Sequence, residues 1–223
     1  MSEPLVDIED LAIAFRTPDG EERVIDGAEL RIHPGEVVGL VGETGCGKSV
    51  TAKLLLGILP MPPARITRGH VRLFGRDLAT VGARERGLMK RHVAYVPQDP
   101  SGCLNPSFTV GTQMVDQIIW QASKGSLSAY FRSRHRRGSR RDAEERAAAL
   151  LEKVYISDPS EVLRRYPTQL SGGMRQRVLI ALALSGSPKL MIADEPTTAL
   201  DVTVQMRTIE LLRELIEREG MSG

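Results

Sequence analysis

The sequence is short of the features that mark most specialised protein classes. Its 223 residues hold two cysteines, Cys46 and Cys103, too few for a disulfide framework or a zinc site and in keeping with a reducing, cytoplasmic compartment. No uninterrupted apolar stretch reaches the roughly 18 residues of a membrane span. The opening Met1-Ser2-Glu3-Pro4-Leu5-Val6-Asp7 carries acids where a signal peptide needs bases. Contact with a membrane is therefore expected through a partner or a surface. Charge of one sign is lacking too: 30 basic against 28 acidic residues leave +2, which gives no argument for a nucleic-acid partner. What is present is an ordinary soluble composition, 41% hydrophobic and 26% charged. That excludes collagen-like, mucin-like and wholly disordered chains and leaves room for a globular core.

The pattern along the chain is that of an α/β protein. Rough alternation of apolar and polar residues over Val6 to Phe15 and Val24 to Ile32, joined by Thr17-Pro18-Asp19-Gly20, predicts a hairpin-like pair of strands. After His33-Pro34-Gly35, the Val- and Leu-rich run Glu36 to Val41 predicts a strand buried on both faces. A glycine-rich turn follows, then a helical segment from Lys48 to Leu59, stopped by Pro60, Pro62 and Pro63. Further strands are expected at His70 to Phe74, His92 to Val96 and Leu190 to Ala193. Between Thr109 and Tyr166 no good strand appears, and Asp142 to Val154 is strongly amphipathic. A helical subdomain, over about 109–170, is thus expected as an insertion. Its basic run from Arg132 to Arg141 follows Tyr130 and Phe131, a composition suited to phosphate or anionic lipid. Gly138 and the serines there favour a solvated loop.

Gly42-Glu43-Thr44-Gly45-Cys46-Gly47-Lys48-Ser49 matches G-x-x-x-x-G-K-[ST] and lies between a predicted strand and a predicted helix, the context that pattern needs. Glycines let backbone N–H groups turn inward around phosphates, and the helix start adds its positive end. Lys48 reaches the β/γ oxygens, and the Ser49 hydroxyl can ligate Mg²⁺. Far downstream, the apolar run Leu190 to Ala193 ends in Asp194 and Glu195. A carboxylate holding Mg²⁺ followed by one that orients water suits that pair, although paired acids at a strand end are also common on plain surfaces. Leu170-Ser171-Gly172-Gly173-Met174-Arg175-Gln176-Arg177 places a serine and two glycines at a helix start, a second nest for anionic oxygens.

With that string the chain resembles the ATP-binding-cassette superfamily, whose signature reads L-S-G-G-Q or a close variant. The resemblance implies a P-loop NTPase core with an antiparallel β subdomain and an inserted helical subdomain, in one nucleotide-binding domain over 1–223. It implies ATP and Mg²⁺ as ligands, held by Gly42, Glu43, Thr44, Gly45, Cys46, Gly47, Lys48, Ser49 and Val50. Gln98, in Tyr95-Val96-Pro97-Gln98, is similar to the glutamine that touches Mg²⁺ and the attacking water. Asp194 falls to the metal, Glu195 to the water-orienting base, and Asp201, in Ala199-Leu200-Asp201, to the D-loop. Ser171, Gly172 and Gly173 would serve the ATP of an opposite subunit. Phe15 is similar to the aromatic that stacks on adenine; a strand aromatic packed in the core is the lesser alternative.

Longer strings narrow the resemblance. Asp99-Pro100, Leu104-Asn105-Pro106, Tyr166-Pro167 and Ala193-Asp194-Glu195-Pro196-Thr197-Thr198-Ala199-Leu200-Asp201-Val202-Thr203 are similar to the peptide and nickel importer branch. Thr168 stands where that branch usually has His, and Cys46 where it more often has Ser. The branch implies an ATPase at the cytoplasmic face of the plasma membrane. Its partners would be a second ATP-binding subunit, two transmembrane permeases and, indirectly, an external solute-binding protein. The family also carries a histidine on the γ-phosphate after a further strand. The four histidines here, His33, His70, His92 and His135, all precede Asp201, so the chain is expected to be C-terminally incomplete. A non-hydrolysing ATP-binding module and a soluble ATPase of DNA repair or translation are the alternatives. No Asn-Lys-x-Asp motif supports a small GTPase.

Overall fold

A computed structural model describes residues 3–98, 102–124, 126–194 and 202–223, with the side chains of all but 83, 84, 88 and 202–205. The elements run β1 (Val6–Thr17), β2 (Gly20–Ile32), α1 (Lys48–Leu55), β3 (Ala64–Leu73), β4 (Arg76–Asp77), α2 (Ala83–Lys90), β5 (Val93–Val96), α3 (Val110–Ala122), α4 (Leu127–His135), α5 (Arg137–Lys153), α6 (Pro159–Arg164), a 3-10 turn at Pro167–Gln169, α7 (Gly172–Leu184), β6 (Leu190–Ala193) and α8 (Val202–Glu219). Two compact units share this chain. One holds residues 3–93, 189–194 and 216–223; the other holds the described residues within 94–188 and 195–215.

The first unit is built on an antiparallel sheet in the order β2-β1-β3-β4. Val6 and Ile8 point into the core while Asp7 faces out between Arg31 and Arg72, at 3.0 and 3.2 Å. This is the alternation expected of a half-buried strand. At Asp10 (φ +45°) the register slips against both neighbours, a bulge after which Leu11 to Ala14 form a continuous run buried on both faces. Gly69 on β3 makes the bulge possible. Its φ is +82°, and a Cβ there would lie 2.3 Å from the carbonyl oxygens of both Glu9 and Asp10. Arg68 spans the irregularity with bonds of 2.7 Å to Asp10 and 3.1 Å to Asp26. A hydrogen bond from Arg23, ahead of the charge of Arg68, holds the exposed Asp26 carboxyl below the usual carboxylate range. Beneath the sheet, Val6, Ile8, Leu11, Ile13, Val71 and Leu73 pack with Leu54 and Leu55 of α1 and Leu190 of β6 in one apolar cluster.

The second layer of this unit is parallel. β6 occupies the span expected from sequence, and Lys189 and Leu190 donate to the His92 carbonyl at 2.8 and 3.1 Å. The expected strand over Glu36 to Val41 is different: residues 36–43 form no regular strand. Only its first half pairs, with Gly223 donating to Glu36 at 3.0 Å and Val38 donating to Gly223 at 2.7 Å. Ser222 makes a parallel bridge to Leu190, receiving the Met191 N–H at 2.8 Å. Met221, Ser222 and Gly223 thus lie between residues 36–38 and β6, and supply β6 with a neighbour on that side. Past Val38 no ladder partner stands alongside among the described residues, and Leu40 and Val41 are exposed.

The second unit is helical. Thr109 caps α3 by accepting the Thr112 N–H at 3.2 Å, and Asp158 caps α6 by accepting that of Glu161 at 3.0 Å. Val110, Met114, Val115, Ile118 and Ile119 form the buried stripe of α3 at helical spacing. It packs on α5, whose Ala143 and Ala147 allow close approach beside Leu150 and Leu151, and α5 packs on α7. The basic run expected as a loop is instead two helices that meet at Arg136. Gly138 falls in the first turn of α5, where its helix-breaking cost is small. Pairs Arg140–Glu144 and Arg141–Glu145, each 3.0 Å at i,i+4, support the turns that follow.

Ser222 joins the two layers of the first unit. It is fully buried, its hydroxyl donating to the His33 carbonyl at 3.1 Å and accepting the Gly35 N–H at 2.8 Å. Ser222→Ala should therefore lower unfolding free energy by about 1–2 kcal/mol, read as a lower urea midpoint with an unchanged slope. An unaltered midpoint would show that this clasp contributes nothing.

Candidate functional site

The loop from Gly42 to Gly47 reverses the chain through backbone conformations that side chains resist. Gly45 has φ +89° and Gly47, the residue before α1, φ +96°. At Gly47 space is lacking as well, because a Cβ would lie 2.7 Å from Ile25 Cγ1 and 3.3 Å from the Val24 carbonyl oxygen. The loop therefore rests directly on β2. A Cβ at Gly42 would meet Cys46 Sγ at 2.7 Å, so the loop also closes tightly on itself, with the Cys46 N–H donating to the Glu43 carbonyl at 3.3 Å. Thr51 ties the first turn down from inside, its N–H and hydroxyl donating to the Gly47 carbonyl at 2.9 and 3.1 Å.

The start of α1 is electrostatically open. It has no side-chain cap and no acid in its first turn, so its positive end is left for a ligand. Lys48 adds to this field. Its ammonium donates to the carbonyls of Gly42 at 2.6 Å and Glu43 at 2.7 Å, and approaches Cys46 Sγ at 3.5 Å. Glu43, Thr44, Gly45, Cys46 and Ser49 are exposed, and Val50 is half-buried. Such a cradle, lined by backbone donors and a lysine, is chemically suited to a chain of phosphates.

Asp194 belongs to the same unit, half-buried directly after β6. Phe15 does too. It is half-buried on β1, opposite Glu22 and Ala64, and packs against the apolar cluster. The remaining candidates lie elsewhere. Gln98 is exposed just after β5 in the helical unit. There also, Ser171 precedes α7 with its Oγ accepting the Met174 N–H at 3.3 Å and its carbonyl accepting the Arg175 N–H at 2.9 Å. Gly172 and Gly173 form the first turn of that helix and are half-buried. Glu195 and Asp201 lie outside the described residues, as do Asp99 and Pro100.

Two supports of the site escaped the sequence. Val24 and Ile25 read as ordinary strand residues, yet they are the surface on which Gly47 closes. Arg177, within the Ser171 string, donates to the carbonyls of Val154 and Tyr155 at 2.9 and 3.0 Å, so it anchors α7 to the end of α5. Neither is signalled locally, because both partners are distant in sequence.

Comparison with known proteins agrees with this geometry. The chain is 44% identical over 223 residues to the probable D,D-dipeptide transport ATP-binding protein of Escherichia coli, covering 99% of this chain and 63% of that protein. It is 40% identical over 212 residues to the oligopeptide transport ATP-binding protein of Bacillus subtilis, covering 95% and 55%. The chain thus spans about three-fifths of the length of such relatives. Among solved structures, an ATP-binding cassette captured as a dimer with ADP and Pi matches at a TM-score of 0.75 and 24% identity, covering 97% of this chain and 85% of that one. A subunit of an ABC transporter complex from Clostridium perfringens matches at 0.76 and 23%, covering 99% and 77%. These likenesses support the expected P-loop core with an antiparallel sheet and inserted helices. The family model for ABC transporters matches residues 25–198, from the strand that supports the loop to the segment after Asp194, and the chain belongs to that family.

Proposed function

We propose that this chain is the ATP-binding and ATP-hydrolysing part of an importer for peptides or related solutes, acting with permease subunits at the cytoplasmic face of the membrane. The observation that carries the reading is the cradle at residues 42–49, with Lys48 folded onto the Gly42 and Glu43 carbonyls at the open end of α1. The names of the relatives, which transport dipeptides and oligopeptides, support the substrate class. No helix among the described residues is long and apolar enough to cross a membrane, so the path for solute would belong to partners.

In this reading the amides of the loop bind the phosphate oxygens, and the Lys48 ammonium leaves the two carbonyls for the β/γ oxygens. The exchange of two neutral acceptors for anionic ones strengthens each hydrogen bond. Ser49 and Asp194 supply the oxygen donors that a hard cation prefers, so the residues present fit Mg²⁺. When bound, that ion neutralises charge on the transferring phosphate. Glu195 is assigned to orient the attacking water and Gln98 to assist it. Ser171, Gly172 and Gly173 would meet the nucleotide held by a second subunit, and Asp201 would lie at that junction, so the site is completed by dimerisation. Phe15, half-buried on β1, is assigned to stack against adenine.

Two outcomes test this. Glu195→Gln should retain ATP binding while turnover falls by ~10²–10⁴-fold, the usual cost of removing a general base. Equal turnover would remove Glu195 from the mechanism. Cys46 and Cys103 are both exposed, so maleimide should label both in the free protein. MgATP should slow labelling of Cys46 and leave Cys103 unaffected, since only Cys46 lies in the cradle. Labelling of Cys46 at one rate with and without nucleotide would contradict the binding site.

A further inference from the structure

The helical unit carries a second anion-seeking surface that the nucleotide chemistry does not use. α4 contains no buried residue, yet only part of it is engaged by the rest of the unit. Tyr130 and Arg134 turn toward α3: Tyr130 stacks edge-on against Trp120 at 5.8 Å between ring centres, and Arg134 pairs with Asp116 while donating to Tyr130 Oη at 3.2 Å. The neighbouring stripe of the helix presents Leu127 and Phe131, one turn apart and 64% and 54% exposed; the Phe131 ring meets that of Tyr130 edge-on at 5.3 Å, and Arg132 and His135 are exposed on the same helix. The sequence holds no acid from residue 117 to residue 141, while Lys124, Arg132, Arg134, Arg136, Arg137, Arg140 and Arg141 are all basic. Only Arg134, Arg140 and Arg141 find acidic partners, leaving Lys124, Arg132, Arg136 and Arg137 exposed and without an ion pair among the described residues.

Helix electrostatics explain half of this arrangement. Arg132, Arg134 and His135 suit the negative end of α4. The start of α5 runs the other way. Its first turn has no acid, Arg136 precedes it without a side-chain cap, and Arg137 and Arg140 add positive charge to an already positive helix end. Arg140 is compensated by Glu144, but Arg136 and Arg137 break a local rule without internal compensation, which is characteristic of a surface adapted to a ligand. Exposed Leu and Phe followed by unpaired arginines at the elbow fit an interface whose apolar layer lies behind a layer of negative charge. That is the construction of an anionic lipid surface.

We propose that the α4–α5 elbow binds the surface of an anionic phospholipid bilayer, with Leu127 and Phe131 inserted among the headgroups and Arg132, Arg136 and Arg137 against the phosphates. This contact is separate from docking on any permease and does not depend on ATP. Each arginine near such a surface contributes about fivefold to affinity.

The test is flotation of the purified protein, without permeases, with vesicles of phosphatidylcholine alone or mixed in roughly two-to-one proportion with phosphatidylglycerol. The protein should float with the mixed vesicles, release as salt rises, and stay behind with the neutral ones. The triple variant Arg132→Gln, Arg136→Gln, Arg137→Gln should weaken binding by about a hundredfold. The pair Leu127→Ser, Phe131→Ser should weaken it by about tenfold. Both variants should retain wild-type circular dichroism and nucleotide binding, because all five side chains are exposed. Equal flotation with neutral vesicles, wild-type binding by the triple variant, or failure to float at low salt while a short RNA binds would each overturn the proposal.

Discussion

The contact of Gly47 with β2 is the constraint on which the site depends. No side chain fits between this residue and Ile25, and its φ of +96° is one that side chains resist. The glycine fixes where α1 begins and therefore where the free N–H groups of its first turn point. Ile25 is held in turn by the sheet, where Leu11 and Ile13, past the bulge at Asp10 and Gly69, share an apolar cluster with Leu54 and Leu55 of α1. A phosphate cradle needs donors preorganised to within a fraction of an ångström. Here the antiparallel sheet supplies that rigidity through the contact of Val24 and Ile25 with Gly47.

Lys48 shows what the cradle does with its own charge. An ammonium beside a helix N-terminus is electrostatically uphill, and hydrogen bonds to the Gly42 and Glu43 carbonyls offset this. The lysine is thereby kept inside the loop and not extended into solvent, so little side-chain ordering remains for binding to supply. The helical unit uses another device. Ser171 satisfies the start of α7 with its own hydroxyl, and Arg177 secures that helix to the carbonyls of Val154 and Tyr155.

Much of this was legible in the sequence where the determining interactions are local. The hairpin of β1 and β2 follows from alternation and the Thr17 to Gly20 turn, β6 from a four-residue apolar run, and the cradle from glycine spacing. The strand over Glu36 to Val41 was only half right, because a parallel strand exists where its ladder partner lies, and here that partner is Gly223. The basic run was misread as a loop for a similar reason. Gly138 weakens a helix locally, while Trp120, Asp116 and the pairs at Glu144 and Glu145 supply the support from outside the run or one turn on. Phe15 belongs to the same class of problem: a strand aromatic reads alike whether it faces a core or a ligand, and in the structure it packs on the core cluster.

The central claim is that phosphate is seated on the amides of residues 42–49 and draws Lys48 from its carbonyls. Amide hydrogen exchange of this segment, measured with and without MgATP, addresses it directly. The account predicts that exchange at Gly45, Gly47, Lys48 and Ser49 slows by about tenfold or more at saturating nucleotide, and that the effect is lost in Gly47→Ala. Unchanged exchange in the loop at nucleotide concentrations where binding is demonstrated by another signal would contradict it.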